Sequence, residues 1–191
     1  GRDKSVRQRH PWVFSGSVGA VDGPAEDGAP VDVVDVGGAF LARGILNRRS
    51  SVVVRLMTWD PGQEVGEELW RSRVRRAVEA RRRLLADAGT DACRLVHAEA
   101  DGAPGLVVDR YGGWLVVQAN SLAAETALAA VTAELVERLA PEGVFERSDD
   151  PLRELEGLAA RVGVLAGRPP PDEVEIREDG LSFRVDLRAG H

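Results

Sequence analysis

The feature that most constrains the fold is a succession of short Val-, Leu- and Ile-rich runs separated by Gly, Pro and Asn, with two longer stretches of helical periodicity among them. Short apolar runs bounded by turn residues predict β-strands. They occur at residues 31–36, 40–46, 51–59, 95–98, 106–109, 114–118, 144–146, 174–177 and 181–185. Apolar residues at helical spacing predict helices at 67–87 and 123–139. The chain is therefore expected to have an α+β fold.

The order of these elements predicts two folded units joined by a helix. Residues 1–68, with three strands in close succession, are expected to form a small β-barrel. An arginine-rich linking helix occupies residues 69–92, and residues 93–191 form a mixed α/β unit of strand-strand-helix-strand-strand type. A chain of 191 residues is long enough for one large domain or two small ones.

Charge is divided unevenly along the chain. Residues 1–90 carry 15 basic and 12 acidic side chains, whereas residues 91–191 carry 10 and 19. Phosphate binding is therefore expected in the first half, because attraction depends on the local surface. No apolar run is long enough to span a membrane, no signal peptide is evident, and Cys93 is the single cysteine. A cytoplasmic protein without a disulfide and without a membrane partner is expected.

Residues 7–16, Arg-Gln-Arg-His-Pro-Trp-Val-Phe-Ser-Gly, place cations beside aromatic rings. A residue before proline disfavours helix, so an exposed segment is expected at His10. Cations next to an aromatic ring suit phosphate contact and base stacking. The candidate RNA-binding residues are Arg7, Arg9, His10 and Trp12. An alternative is that Trp12 and Phe14 fill the barrel core, and we expect both rings inside with the arginines outside.

A second basic group surrounds the turn predicted at residues 47–50. It is suited to extend the same RNA-binding face. Its members are Arg43, Arg48, Arg49 and Arg55, and the candidate RNA-binding residues here are Arg43, Arg48 and Arg55 together with Asn47 of the turn.

The helix predicted at residues 67–87 carries arginines over most of its polar surface, namely Arg71, Arg73, Arg75, Arg76, Arg82 and Arg83. This surface either faces RNA or is a solvated face with salt bridges. The second interpretation is favoured, because a charged outer face is the ordinary state of an amphipathic helix.

A polar, mixed-charge segment at residues 146–149 directly follows a predicted strand. Within it Arg147 is expected to pair with Asp149, and a little further on Arg153 is expected to pair with Glu156. Such a network either borders a substrate cleft or closes the unit against its neighbour, and both interpretations stay open. The candidate cleft residues are Arg147, Ser148, Asp149, Arg153 and Glu156.

Several catalytic and cofactor motifs are absent from the sequence. Neither Gly-x-Gly-x-x-Gly nor Gly-x-x-x-x-Gly-Lys occurs, so neither a dinucleotide fold nor a P-loop is supported. The histidines, at positions 10, 97 and 191, are too scattered for a metal cluster or a triad. No catalytic residue and no metal ligand is predicted.

Three segments in a fixed order, residues 7–16, 101–111 and 146–158, resemble a bacterial family of S-adenosylmethionine-dependent 23S rRNA cytosine-C5 methyltransferases. In that family an RNA-binding PUA domain and a middle α/β domain precede a Rossmann-like methyltransferase domain. The resemblance covers the first two domains only, and implies that the barrel is PUA-like. This chain departs from the family pattern at Leu46, where an aromatic residue is usual, and at Arg48, where proline is usual.

The resemblance implies that the chain is the RNA-recognition and substrate-positioning portion of such an enzyme, with rRNA as its partner. It implies S-adenosylmethionine as the cofactor of the full-length member, not bound by this chain. Methylation at C5 needs a cysteine thiolate that adds at C6, and no such site can be assembled here, so the chain alone is expected to be inactive. The alternatives are a stand-alone PUA-type RNA-binding or ribosome-assembly module and a small-molecule enzyme built on Arg147. A homodimer is left open.

Overall fold

A computed structural model describes residues 3–86 and 89–188 of the chain. Within these residues the strands form three sheets, of four, five and two strands. The fold is mixed α+β, as expected from the sequence.

The first sheet is antiparallel, with the strand order β1-β4-β3-β2. A short helix, α1 (Lys4–Arg7), precedes it, and its strands are β1 (Trp12–Phe14), β2 (Pro30–Val34), β3 (Phe40–Leu46) and β4 (Val52–Thr58). The strands predicted at 31–36, 40–46 and 51–59 are therefore confirmed to within two residues. At Gly44, where the register of β3 shifts, a Cβ atom would overlap the backbone carbonyl of Arg55. The close approach of β3 and β4 thus requires glycine there.

The core of the first sheet corrects one expectation. Val13 is buried with Val6 and Leu46, whereas Phe14 is 45% exposed and Trp12 is only partly buried. Successive side chains of a strand point to opposite faces, so burying Val13 turns both aromatic rings to the other side. The prediction that Phe14 and Trp12 fill the barrel core is wrong.

The helix predicted at 67–87 is two helices. α2 (Glu67–Ala80) is followed by α3 (Arg82–Leu85), and the predicted end at residue 87 lies outside the described residues. The break is at Arg81, whose guanidinium makes a bidentate ion pair with Asp101 at 2.8 Å. The helix is thus interrupted at a residue whose side chain is bound to a residue outside it.

The second sheet has the order β5-β6-β7-β8-β9 and is antiparallel except between β7 and β8. Its strands are β5 (Ala92–His97), β6 (Leu106–Tyr111), β7 (Trp114–Ala119), β8 (Gly143–Ser148) and β9 (Arg161–Gly167). The parallel pair is joined by α4 (Leu122–Thr126) and α5 (Leu128–Leu139). Ser121 caps α4 by accepting a hydrogen bond from the Ala124 N–H at 3.1 Å.

This architecture differs from the predicted strand order in two ways. The sequence analysis does not predict β9, whose residues Arg-Val-Gly-Val-Leu-Ala-Gly include two glycines and an alanine, residues that are depleted in strands. The predicted hairpin β10 (Val174–Glu178) and β11 (Leu181–Val185) exists, but it forms a sheet of its own. It packs on the five-stranded sheet through Val174 and Ile176, which contact Trp114 and Val116.

One apolar core joins the two larger sheets through α2. It contains Ile45 and Met57 from the first sheet, Trp70 and Val74 from α2, and Leu95 from the second sheet. The amphipathic helix therefore buries its apolar side between the two larger sheets. The division into residues 1–68, 69–92 and 93–191 stays a prediction.

Candidate functional site

The two groups of predicted site residues meet around one buried carboxylate, that of Glu156. It lies at the end of the 3₁₀ turn Pro151–Glu156, and its side chain is 5% exposed. Arg55 donates to it at 2.7 Å and the Ser50 hydroxyl at 2.6 Å. The Asn47 side-chain amide donates to it at 3.1 Å. The second unit thus inserts a carboxylate into the turn between β3 and β4.

Arg55 extends this cluster toward β1. Its guanidinium lies 3.4 Å from a Glu99 oxygen and 5.7 Å from the centre of the Trp12 ring. The indole N–H of Trp12 donates to the same Glu99 oxygen at 2.9 Å. We call Trp12, Asn47, Ser50, Arg55, Glu99 and Glu156 the junction network. It links residues predicted as RNA contacts with a residue predicted at a cleft.

The charge state of Glu156 follows from these contacts. Burial alone raises the pKa of its carboxyl, but hydrogen bonds from Arg55 and Ser50, the charge of Arg55 and the bond from Asn47 outweigh it. The net result is a pKa below the ordinary value of 4.5. Glu156 is therefore ionised at neutral pH and completes a buried ion pair.

Arg153 does not pair with Glu156, which corrects the predicted pairing. Its side chain is 1% exposed and pairs with Glu125 at 2.5 Å. It also donates to the carbonyls of Ala159 and Ala119. Because these partners are all internal, Arg153 anchors the turn that carries Glu156 and has no surface left for a ligand.

The polar, mixed-charge segment at residues 146–149, predicted to follow a strand, is partly in β8 itself, which runs to Ser148. The Ser148 hydroxyl is buried and accepts the Ala119 N–H at 2.9 Å. Arg147 and Asp149 make the expected pair at 3.4 Å. The predicted end of the strand is too early, because Glu146 and Arg147 lower its apolar content.

The remaining predicted RNA contacts lie on the surface, and several are paired. Arg7 contacts Asp3 at 2.6 Å and Asp35 at 2.9 Å, and Arg43 contacts Asp32 at 2.5 Å. Arg48 contacts Asp27 at 3.0 Å with its side chain 44% exposed. Exposed residues beside β1 and the turn include Arg9, His10, Phe14, Arg48 and Arg49.

The arginines of α2 are mainly held by internal contacts, which favours the salt-bridge interpretation of this helix. Arg75 pairs with the buried Glu134 at 2.9 Å, and Arg138 pairs with the same carboxylate at 3.0 Å. Arg73 donates to the carbonyls of Met57 and Gly102. Burial, with the charge of Arg76, lowers the pKa of Arg73 to about 10.

Sequence reasoning missed Glu99, Ser50 and Phe14. Glu99 reaches Trp12 across 87 positions, so no local pattern reports the contact. Phe14 could have been found, because alternation along β1 places it on the face opposite Val13.

A cavity of about 440 Å³ beside the first sheet is lined mainly by aliphatic side chains such as Val31 and Val53, and its lining also includes Asp32, which pairs with Arg43. Burial raises the pKa of the Cys93 thiol, which opposes a nucleophilic thiolate. Among residues 3–86 and 89–188 no cluster of three or more His, Cys, Asp or Glu could hold a metal ion, and no helix there is long and apolar enough to cross a membrane.

Comparison with known sequences gives two results. The PUA-like domain family matches residues 1–59. Ribosomal RNA large subunit methyltransferase I of Cronobacter sakazakii is 38% identical over 192 residues, which covers 100% of this chain and 48% of the relative. The protein of the same name from Aliivibrio fischeri is 38% identical over 191 residues, with the same coverage. The chain thus spans about half the length of the curated relatives it matches.

Comparison with solved structures shows the same fold. A chain from Streptococcus mutans assigned to the SAM-dependent methyltransferases has a TM-score of 0.80 at 17% identity, covering 99% of this chain and 47% of that one. A second, described as a methyltransferase complexed with SAH, has a TM-score of 0.82 at 17% identity, covering 100% and 47%. The chain carries a PUA-like domain and is homologous to ribosomal RNA large subunit methyltransferases.

Proposed function

We propose that this chain is the RNA-recognition and substrate-positioning portion of an S-adenosylmethionine-dependent rRNA methyltransferase that acts on cytosine C5. The observation that carries the proposal is the 38% identity to ribosomal RNA large subunit methyltransferases, which extends over 100% of the chain. In this proposal rRNA is the partner, the cytoplasm is the site of action, and the complete enzyme binds S-adenosylmethionine. A homodimer is compatible with it.

The geometry supports a division of labour among the candidate residues. Arg48 and Arg49 are exposed on the turn between β3 and β4, beside Arg9 and His10 on the segment that leads into β1. Exposed arginines suit bidentate contacts with phosphate, and such contacts fix the register of a protein on its nucleic acid. Asn47, at the base of the turn, is held by Glu156. The junction network therefore positions the surface, and the exposed residues contact the RNA.

The second unit has the same positioning role toward the substrate cleft. Arg147 and Asp149 lie at the end of β8, next to the turn that Arg153 anchors. We place these residues at the border of the cleft, where they orient neighbouring elements without taking part in methyl transfer. Because burial disfavours the thiolate of its single cysteine, the chain alone is proposed to be inactive.

A paired titration tests the proposal. This chain and the product of the complete reading frame are each titrated with S-adenosylmethionine and with a 23S rRNA fragment. We expect both to bind the RNA and only the longer product to bind the methyl donor. RNA binding without any methyl donor binding would favour an independent RNA-binding or assembly module. RNA binding that is unchanged after Arg9 and Arg48 are replaced by Ala would exclude the proposed face.

A further inference from the structure

The outer face of β1 presents an aromatic cluster to solvent. Phe14 is 45% exposed, and its ring centre lies 6.1 Å from that of Trp12 and 6.4 Å from that of His10. The Phe14 and His10 rings are inclined by only 38°, whereas Trp12 stands edge-on to both. An exposed phenylalanine adds nothing to the core of the sheet, which Val13 fills from the same strand.

The cluster is held in place before any ligand arrives. The backbone N–H groups of Arg9 and His10 donate to the carbonyls of Val6 and Ser5 at 2.9 Å. The His10 ring nitrogen Nδ1 accepts the backbone N–H of Trp12 at 3.2 Å, which limits rotation of the imidazole ring. Arg9 itself adopts a φ of 62°, a left-handed conformation that is costly for a residue other than glycine. This strained conformation makes a sharp turn that carries His10 toward Phe14.

Cationic groups lie next to the cluster. Phe14 pairs with Val52 across β1 and β4, and the next residue, Ser15, donates its N–H to the Ser51 carbonyl at 3.0 Å. Ser51 directly follows the turn that bears Arg48 and Arg49, both of them exposed. The backbone that carries Phe14 therefore lies next to the strand end that follows the two exposed arginines.

We propose that Phe14, supported by His10, stacks an unpaired nucleobase, while Arg48 and Arg49 contact the adjoining phosphates. The inference rests on the proposed RNA-binding function and adds the form of RNA recognised, a single-stranded nucleotide. Every base has a π face, so an aromatic platform with flanking cations selects unpaired over paired nucleotides with little preference for sequence.

The test compares two substitutions of the same ring. Phe14→Leu keeps apolar volume and removes the π face, and Phe14→Tyr keeps the ring. Val34→Ala is the matched control, because Val34 is 51% exposed on β2, at the opposite edge of the same sheet. Binding of a single-stranded RNA and of a fully paired RNA of the same length is measured by fluorescence anisotropy, and the thermal midpoint of each variant is recorded.

We expect Phe14→Leu to weaken single-strand binding roughly tenfold, since one stacked base contributes about that factor or more. Phe14→Tyr and Val34→Ala should stay within about twofold, and binding of the paired RNA should not change. Single-strand binding that survives Phe14→Leu but falls in the Arg48→Ala, Arg49→Ala variant would overturn the stacking platform and leave the RNA-binding function standing. If the unsubstituted chain binds neither RNA, the proposed function itself fails.

A second measurement has a main readout on the unsubstituted chain. A single-stranded RNA carrying 2-aminopurine reports stacking directly, because the emission of this base is quenched by an aromatic partner. We expect quenching when the chain binds, and partial recovery with Phe14→Leu. Binding without any change in 2-aminopurine emission at each tested position would overturn the proposal, even if Phe14→Leu proved unstable.

Discussion

Arginine has opposite roles in the junction network and in the adjoining turn between β3 and β4. The Arg55 side chain is 14% exposed and lies between the carboxylates of Glu99 and Glu156. The Arg48 side chain, seven positions earlier, is 44% exposed and touches a single carboxylate, that of Asp27. The first arginine must keep its partners, because a buried charge without one is costly. The second can exchange Asp27 for a phosphate at little cost.

Residues close together in the sequence can therefore have different roles. Asn47 and Arg48 are neighbours, yet the Asn47 amide is buried against Glu156 whereas the Arg48 guanidinium is on the surface. Substitutions in the two regions should therefore separate stability from RNA affinity.

The largest expected effect is the loss of stability in Glu156→Ala. The substitution leaves Arg55 with its 3.4 Å contact to Glu99 as its remaining ion pair, and leaves Asn47 and Ser50 without the carboxylate that accepts from both. Removing one partner of a buried ion pair costs roughly 3–5 kcal/mol. The loss of stability is measured as the difference in the free energy of unfolding in urea between the variant and the unsubstituted chain.

The matched control is Glu79→Ala. Glu79 also pairs with an arginine, Arg82, but both side chains are at least 70% exposed. Its loss should cost less than about 1 kcal/mol. Equal destabilisation by the two substitutions would mean that the junction network is not a buried ion pair.

Stability should also fall on acidification, through the same carboxylate. The pKa of Glu156 is lowered below 4.5, because hydrogen bonds and charge outweigh burial. The pKa of Glu134 is lowered as well, mainly by the hydrogen bond from Arg75. A group with a lowered folded pKa contributes fully above its unfolded value and loses that contribution as the pH falls through the folded one. We therefore expect a decline in the free energy of unfolding that begins near pH 4.5 and steepens below it.

Glu156→Gln sharpens this expectation, because an amide keeps the shape but does not titrate. The free energy of unfolding, measured between pH 7 and pH 3, should decline less steeply in this variant than in the unsubstituted chain. Identical slopes would show that Glu156 does not contribute to the acid limb.

Much of the fold follows from local sequence, and most of the junction does not. The hairpin of β10 and β11 is predictable because Asp179 and Gly180 suit a turn, and both have positive φ, 51° and 80°. Contacts of Glu156 with Asn47 span 109 positions. A pattern of period two or 3.6 carries no information about such a pair, so the network could be found only in three dimensions.

The strand β1, whose buried and exposed faces are the reverse of those predicted, shows a different limit of prediction from sequence. Trp12 and Phe14 are the bulkiest apolar residues of the strand, and size alone favours them for the core. Alternation also allows the opposite arrangement, in which Val13 is buried. In that arrangement the Trp12 indole N–H donates a hydrogen bond to Glu99. The contact that distinguishes the two faces comes from the second unit and is invisible in the sequence of the first.

The smallest expected effect on stability belongs to the exposed turn, where RNA affinity should change instead. Replacing Arg48 and Arg49 together by Ala removes two cations, one ion pair that is largely exposed, and the exposed hydrogen bonds from the two guanidinium groups to the carbonyls of Ala25 and Gly157. The free energy of unfolding should change by less than about 1 kcal/mol. The slope of log affinity against log salt for single-stranded RNA should become shallower by about 0.7 for each phosphate that the variant no longer neutralises. The control variant replaces Arg82 and Arg83, which are exposed on α3, by Ala. It removes the same amount of positive charge from a different surface. If both double substitutions make the slope equally shallower, RNA affinity depends on the total charge of the chain and not on the turn that Glu156 holds.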